Sequence, residues 1–259
     1  MTQTDALANV LENKPTSPAV AFSALLQKQK AQIALALPKH LTADRMCRLA
    51  LTAFSSSRQL QACDPKSIIS SIMLASQLGL EPGVNGQGYL IPYKTTCQFV
   101  PGWKGLVDLV SRSGRAVVWS GVVRSGDFFE YELGSAPFIK HKPEGDDADG
   151  DFTHVYACGK VKDSEMPVIE VWTKARVLKH LAKFNKQGDR HYALADGKKN
   201  FEQYAKKVVL LQVLKYMPQS IEIANALAAS TAAELGVPPV IDGDFVTLDI
   251  DPETGEIKQ

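Results

Sequence analysis

The chain has 259 residues, of which 45% are apolar and 22% are charged, with a formal net charge of +1. This composition is that of an ordinary globular protein, and no run of about 18 apolar residues is present to span a membrane. The N-terminus lacks the regions of a signal peptide, and the four cysteines form no Cys-x-x-Cys pair. We therefore expect a cytoplasmic protein with reduced cysteines.

The charge is distributed unevenly along the chain. Residues 144–151 contain five acids and no base, and residues 242–259 contain six acids and one lysine. Without these two acidic segments, the rest of the chain carries a net charge of +11. The rest is therefore basic enough to attract a polyanion, because the acids are confined to a predicted loop and a predicted tail.

The first half of the chain predicts helices followed by a hairpin. Residues 1–19 predict a flexible arm, and helices are predicted over 20–37, from 43, and over 65–78. Asp64 and Gly79 are the expected caps of the third helix. Apolar runs at 89–93 and 97–100 around a short polar turn predict a β-hairpin, and residues 102–114 predict a further helix.

The second half predicts strands followed by helices. Strands are expected near 116–124, 127–133, 153–161 and 167–172, and an acid-free helix is expected from Thr173 to about 187. Residues 198–218 predict one long helix that ends before Pro218 and is buried in its second half. A helix over 219–235 precedes an acidic, flexible tail at 236–259.

This order of elements predicts an α+β fold. It has a helical N-terminal part, a small antiparallel sheet in the middle, and C-terminal helices that include a long buried helix. Residues 20–235 are expected to form one domain.

Motifs of the common enzyme sites are missing. No phosphate-binding loop of the form G-x-x-x-x-G-K-[ST] is present, and the glycines at 83–88 precede a strand, where a dinucleotide loop would open a helix. The five histidines form no zinc spacing with the cysteines. The acidic segment does not match a calcium loop, because Gly145 and Tyr156 stand where acids are needed. No serine nucleophile motif is present.

Basic and aromatic residues alternate on several predicted elements. Cations for phosphates beside aromatic surfaces for bases are typical of single-stranded nucleic-acid binding. The candidate DNA-binding residues are Lys104, Arg112, Arg115, Arg124, Lys198, Lys199, Lys206, Lys207 and Lys215, with the aromatic residues Trp103 and Tyr89.

These residues also have structural interpretations. Lys104, Asp108 and Arg112 are spaced as a surface ion-pair ladder on one helix face. Trp103 and Tyr89 are large enough to be core residues. The acid-free helix is also compatible with a membrane surface.

A series of sequence blocks carries more information than any single residue. The blocks are Gln-Leu-Gly-Leu-Glu-Pro at 77–82, Tyr-Leu-Ile-Pro-Tyr at 89–93, the helix at 102–114, Val-Val-Arg-Ser-Gly-Asp-Phe-Phe-Glu at 122–130, His-Lys-Pro at 141–143, Thr-His-Val-Tyr-Ala at 153–157, Tyr-Ala-Lys-Lys at 204–207, and Leu-Lys-Tyr-Met-Pro-Gln-Ser at 214–220. In this order they resemble the RecT family of phage and prophage single-strand DNA annealing recombinases. The resemblance spans roughly residues 30–225.

The resemblance implies a DNA-binding recombinase that works without nucleotide hydrolysis. It would bind single-stranded DNA along the phosphate backbone and pair it with a complementary strand, which gives an annealed duplex. No cofactor is expected to be required, and a divalent cation is expected to modulate binding. The implied partners are further copies of the chain in a ring or helical filament, a 5′-to-3′ exonuclease, and a host single-strand binding protein. No membrane partner is implied.

The motifs also assign individual residues. Lys206 and Lys207 match the paired lysines of the family, and Lys104 and Arg112 lie in its Gly-Trp/Tyr-x-Gly helix. Leu211 and Gln212 stand where many relatives have two arginines, so contacts of that arginine pair cannot be transferred.

Two other functions remain open at this point. One is a metal-dependent DNA-processing nuclease that uses the acids at 144–151, with Asp147 and Asp149 as the residues to test. The other is a coat protein that binds single-stranded DNA without annealing it.

Overall fold

A computed structural model describes residues 17–144, 151–185, 188–237, 249–250 and 257–258. Most of the predicted N-terminal arm, the acidic residues 145–150 and most of the predicted C-terminal tail lie outside these ranges. The expectation of a flexible arm and a flexible tail therefore stays a prediction.

The N-terminal part is helical, as the sequence predicts. It contains α1 (Pro18–Ala36), α2 (Ala43–Ser56), α3 (Arg58–Gln61) and α4 (Pro65–Leu78). The Asp64 carboxylate accepts hydrogen bonds from the first turn of α4, and Gly79 ends α4 in the left-handed conformation. Helix α1 includes residues 18 and 19, which the sequence assigned to the arm, because Ser17 caps the helix and Pro18 occupies its first position.

A β-hairpin and a helix follow directly. Strands β1 (Gly88–Tyr93) and β2 (Thr96–Pro101) pair antiparallel, and α5 (Trp103–Ser113) begins two residues later. The start of α5 touches the loop before β1, where the Gly102 amide donates to the Gln87 carbonyl over 2.9 Å. A Cβ on Gly105 would lie 2.1 Å from the same carbonyl oxygen, so only glycine permits this approach.

The middle of the chain forms antiparallel strands. They are β3 (Ala116–Arg124), β4 (Phe128–Glu132), β5 (Phe138–Lys142), β6 (Phe152–Val161) and β7 (Val168–Thr173). The order β3-β6-β7 gives a three-stranded sheet, while β4 and β5 form a separate hairpin. Strand β5 was not predicted from the sequence. It is held beside the sheet because His141 contacts Asp127 over 3.0 Å and the Tyr156 hydroxyl over 3.1 Å.

The C-terminal part returns to helices. It contains α6 (Lys174–Phe184), a 3₁₀ turn (Gly188–Arg190), α7 (Ala195–Lys198), α8 (Phe201–Leu214) and α9 (Ile221–Leu235). The short strands β8 (Asp249–Ile250) and β9 (Ile257–Lys258) pair antiparallel near the C-terminus. These elements confirm the predicted α+β fold.

The single helix predicted over 198–218 is wrong at both ends. Gly197 and Lys198 have φ values of 70° and 65°, and this left-handed backbone interrupts a right-handed helix. At the other end, α8 stops at Leu214, and the next three residues form tight turns before Pro218. Lys198 and Lys199 therefore precede α8 and are not part of it.

Helix α8 is the centre of the core. Nine of its fourteen residues are buried, and it packs on all three strands of the central sheet as well as on α5 and α6. Gly159 of β6 makes room for this packing, since a Cβ there would lie 2.7 Å from side-chain atoms of Val213 and Met217. The predicted buried helix is thus confirmed over Phe201–Leu214.

All four cysteines are buried and unpaired, as expected. Burial raises the pKa of the Cys97 and Cys158 thiols to about 11. Both thiols therefore stay protonated and weakly nucleophilic near neutral pH.

Membrane-spanning helices were also sought along the described ranges. No helix there combines the length and the apolar character needed to cross a bilayer.

The close contact at Gly105 gives a test of the packing. In an open helix, replacing glycine by alanine stabilises the protein by about 1 kcal/mol. Gly105→Ala should instead lower the free energy of unfolding by about 1–3 kcal/mol, because the new methyl group meets the Gln87 carbonyl. Urea denaturation measures the difference. The control Ser111→Ala, on the exposed side of α5, should be neutral or stabilising. A stabilised Gly105→Ala variant would contradict the contact.

Candidate nucleic-acid interface

The first turns of α5 and α8 meet at Trp103. The Trp103 indole Nε1 donates a 2.8 Å hydrogen bond to the Gln203 side chain of α8. The Nζ atoms of Lys104 and Lys206 lie 5.8 and 5.9 Å from the centre of the Trp103 ring. Two ammonium groups from different helices thus flank one aromatic side chain.

A single carboxylate organises the cations beside this ring. Glu202 accepts hydrogen bonds from the Lys206 Nζ over 2.6 Å and from the Arg124 guanidinium over 3.0 Å. Burial raises the pKa of Glu202, but Lys206 and Arg124 outweigh burial, so its net pKa lies below the usual value. Glu202 is therefore ionised at neutral pH, and it holds two cations close together. We call these residues the Trp103 cluster: Trp103, Lys104, Arg124, Glu202, Gln203 and Lys206.

The Trp103 cluster has the chemistry that a nucleotide needs. The six residues of the cluster include two lysines, one arginine and one glutamate, so the cluster itself carries a net positive charge. Trp103 packs on the core and keeps part of its ring accessible. Such a ring can stack a base while the cations contact phosphates. Trp103 is therefore partly a core residue, as the structural interpretation of the sequence expected, and partly exposed.

Tyr89 lies next to the Trp103 cluster. It is 48% exposed, so the interpretation that it is a core residue is wrong. Its hydroxyl and the aliphatic part of Lys104 both come within 3.5 Å of the position that a Cβ on Gly86 would occupy. Two of the predicted residues, on β1 and α5, are therefore brought together.

A second group of cations adjoins the cluster through the sheet. Arg124 at the end of β3 pairs in register with Phe152 of β6, and the Phe152 ring stacks on Phe201 at 5.6 Å. The Lys174 Nζ lies 6.0 Å from the Phe152 ring centre. Lys174 lowers the pKa of the neighbouring Asp151, and the exposed Lys198 lowers it further. Lys198 therefore also lies near this group. We call this group the Phe152 site: Asp151, Phe152, Lys174, Lys198 and Phe201.

The adjacent lysines of the matched motif have different surroundings. Lys206 belongs to the Trp103 cluster, whereas burial lowers the pKa of Lys207 to about 8, with Glu234 of α9 as the nearby acid. Burial raises the pKa of Glu234 in turn. Neighbours on a helix point about 100° apart, so only one of the two lysines faces the cluster.

The remaining predicted cations have other contacts. Arg112 pairs with Asp108 and donates to the Leu78 and Gly79 carbonyls at the end of α4, over 3.3 and 3.0 Å. The predicted ladder therefore exists only between Asp108 and Arg112, because Lys104 donates to Asn85 over 3.3 Å.

Arg115, Lys215 and Lys199 also lie apart from the cluster. Arg115 donates to the Gln219 carbonyl over 3.0 Å, and Lys215 donates to the Gln212 side chain over 2.8 Å. Lys199 is exposed, next to Lys198. The structure thus brings Trp103, Tyr89, Lys104, Arg124 and Lys206 together, with Lys198 beside them.

Sequence reasoning missed several residues of these sites. Gln203 and Phe152 carry no motif that could have identified them, whereas Phe201 is one of the aromatic residues that alternate with basic residues in the sequence. Lys174 was visible as part of the acid-free helix, but its place beside Phe152 depends on how β6 pairs with β7.

In the ranges that the structure describes, no three His, Cys, Asp or Glu side chains are grouped so that they could hold a metal ion. Asp147 and Asp149, the candidates for a nuclease, lie outside those ranges.

The double ion pair of Glu202 gives a prediction for DNA binding. Glu202→Gln removes a negative charge that contacts both Arg124 and Lys206, so we expect tighter single-stranded DNA binding with a steeper salt dependence. Fluorescence anisotropy of a labelled oligonucleotide at several salt concentrations measures both. The control Glu130→Gln removes the same charge from an exposed pair with Lys140 on the β4–β5 hairpin. Equal affinities for the two variants would contradict the prediction.

The same substitution gives a prediction for stability. The net pKa of Glu202 is lowered by folding, so its stabilising contribution is present above the unfolded pKa of about 4.3 and is lost as the pH falls further. Glu202→Gln should therefore lower the free energy of unfolding by about 1–3 kcal/mol at pH 7. The difference from the parent protein should shrink below about pH 4. Urea denaturation over this pH range measures it, and a constant difference would contradict the assignment.

Comparison with known proteins gives an identification that agrees with this site. The family model described as RecT family matches residues 44–244. Protein RecT of Escherichia coli (strain K12) is 36% identical over 236 residues, which cover 85% of this chain and 84% of that protein. The uncharacterized protein YqaK of Bacillus subtilis (strain 168) is 29% identical over 181 residues, which cover 68% of this chain and 60% of that protein. The chain therefore belongs to the RecT family of DNA recombination and annealing proteins.

Proposed function

We propose that this protein anneals complementary single strands of DNA without ATP during homologous recombination. The observation that carries the proposal is the Trp103 cluster, in which Lys104 and Lys206 flank one partly exposed aromatic side chain and Glu202 holds Arg124 next to Lys206. Membership of the RecT family supports the same class of function.

The chemistry of the cluster favours annealing over sequence-specific binding. Lysine ammonium groups are point charges that suit phosphates, and an indole face stacks on any base. A strand held in this way keeps its Watson–Crick edges free, which pairing with a second strand requires. Affinity would then come mainly from phosphate contacts and would fall steeply with salt.

The partners follow from the family. We propose that the protein assembles into a ring or helical filament on DNA, holds the annealed duplex, and acts beside a 5′-to-3′ exonuclease. A host single-strand binding protein is a further proposed partner. Nucleotide hydrolysis has no role in this scheme, and a divalent cation would act only by modulating DNA binding. A cytoplasmic location is part of the same proposal.

The role of the cluster can be tested by removing two of its cations. Lys104→Ala combined with Lys206→Ala should weaken single-stranded DNA binding to a similar extent for all sequences. The slope of log affinity against log salt should become shallower by about 1.4, since each lost phosphate contact removes about 0.7. The control removes Lys39 and Lys66, two exposed lysines of the N-terminal part. Unchanged binding in the Lys104 and Lys206 variant would remove the cluster from the DNA site.

One assay separates annealing from the two other functions. Complementary oligonucleotides are mixed without ATP, in the presence of magnesium, and both duplex formation and strand length are followed. Faster pairing at constant length supports the proposal. Shortening that Asp147→Asn with Asp149→Asn abolishes would show a nuclease, and binding without faster pairing would show a coat protein.

A further inference from the structure

One face of α6 is strongly basic and is not used by the Trp103 cluster. Val177 and Leu181 fix the helix to the protein, since they are 0% and 3% exposed. Arg176, Lys179 and Lys183 are all exposed, and at 100° per residue they fall within about 60° of one another. We call these three residues the α6 stripe.

The positive charge of the α6 stripe is only partly balanced. Arg176 pairs with Glu170 over 3.2 Å and stacks on Trp172, with 4.1 Å from its guanidinium carbon to the ring centre. Among the described residues, Lys179 and Lys183 form no ion pair, and the sequence has no acid between Val171 and Gly188.

The pKa of His180, on the same helix, is shifted in the direction that nearby positive charges produce. Burial lowers the pKa of His180 first, and Lys183, Arg176 and Lys215 lower it further. The charges that reach this side chain are therefore positive.

Helix α6 begins at the candidate DNA site, and the α6 stripe starts two residues further along the helix. Lys174 begins α6 and also belongs to the Phe152 site. Phe152 pairs in register with Arg124, which joins the Trp103 cluster through Glu202. At 100° per residue Lys174 lies on the opposite side of α6 from the stripe, so the stripe begins within one turn of the Phe152 site but faces away from it.

The α6 stripe differs from the Trp103 cluster in one respect. Trp172, the ring beneath Arg176, is only 5% exposed, so its indole is not available to a base. The stripe therefore offers cations without a stacking platform. From Arg176 to Lys183 it extends about 10 Å along the helix axis, close to three steps of about 3.4 Å along one strand of a duplex.

We propose that the α6 stripe binds the phosphates of a second DNA strand, the complementary strand that arrives at a first strand held by the Trp103 cluster. This inference rests on the annealing function proposed above. Contacts to phosphates alone are weak, sensitive to salt and independent of sequence. Those properties suit a strand that must shift along its partner until the bases match.

The test removes Lys179 and Lys183, the two stripe lysines that form no ion pair with a described residue. Lys179→Ala with Lys183→Ala should bind one single strand with an affinity within about twofold of the parent, because the Trp103 cluster is intact. Annealing of a second strand to the preformed complex should slow by about tenfold at low salt, and its rate should depend less steeply on salt. Stopped-flow fluorescence with donor- and acceptor-labelled complementary oligonucleotides measures the rate.

A matched control removes two other exposed lysines. Lys160→Ala with Lys162→Ala takes the same charge from the end of β6 and the residue after it. This variant should anneal at the parental rate. An equal loss of rate in both variants would mean that net charge matters and the α6 stripe does not, which overturns the proposal.

Other results also decide the question. If single-strand affinity falls in parallel with the annealing rate, the stripe belongs to the first-strand site. If annealing is unchanged, the stripe has another partner, such as a surface of anionic phospholipid. A parent protein that binds DNA but does not accelerate pairing overturns both this inference and the proposed function.

The acidic C-terminal segment of the chain is a competing occupant. Replacing Asp242, Asp244, Asp249 and Asp251 by asparagine in the full chain removes four of its charges. The effect of the Lys179 and Lys183 substitutions should persist in this background. If it disappears, the stripe binds the segment and the proposal is wrong.

Discussion

Burial of α8 is the constraint on which the rest of the structure depends. The helix packs on all three strands of the central sheet and on the helices to either side, so that its direction and rotation are fixed. This packing fixes the positions of the side chains in its first two turns. Phe201 stacks on Phe152, while Glu202, Gln203 and Lys206 face the end of β3 and the start of α5. A rigid apolar helix thus positions polar groups at its own N-terminus.

Glycines allow the neighbouring elements to approach as closely as this site requires. Gly102 and Gly105 allow the start of α5 to lie against the Gly86 and Gln87 carbonyls, respectively, and Gly159 lets β6 lie close to the end of α8. Trp103 and Lys104 owe their position to the first contact. Because Trp103 is tied to Gln203 as well, the two helices hold the indole from both sides.

The basic residues of the chain differ in their contacts and in their exposure. Arg112 and Arg115 donate to carbonyl groups where elements end, Lys207 is partly buried near Glu234, and Arg124 and Lys206 share one carboxylate. Exposed lysines such as Lys179 keep their full charge for a partner, whereas Arg124 and Lys206 share theirs with Glu202. The net charge therefore overstates the cations available to DNA, and their distribution decides where it binds.

The sequence by itself determined the α+β fold, most helix and strand positions, and the family, because periodicity, caps and ordered motifs are local along the chain. It also pointed to Trp103, Lys104, Arg124 and Lys206. Tertiary structure decided which cations lie together, since that depends on the register of β3 with β6 and on the rotation of α8. It also interrupted the helix predicted from 198 and separated Lys206 from Lys207. Contacts between residues about 100 positions apart, such as that between Trp103 and Gln203, cannot be predicted from the periodicity of a single sequence.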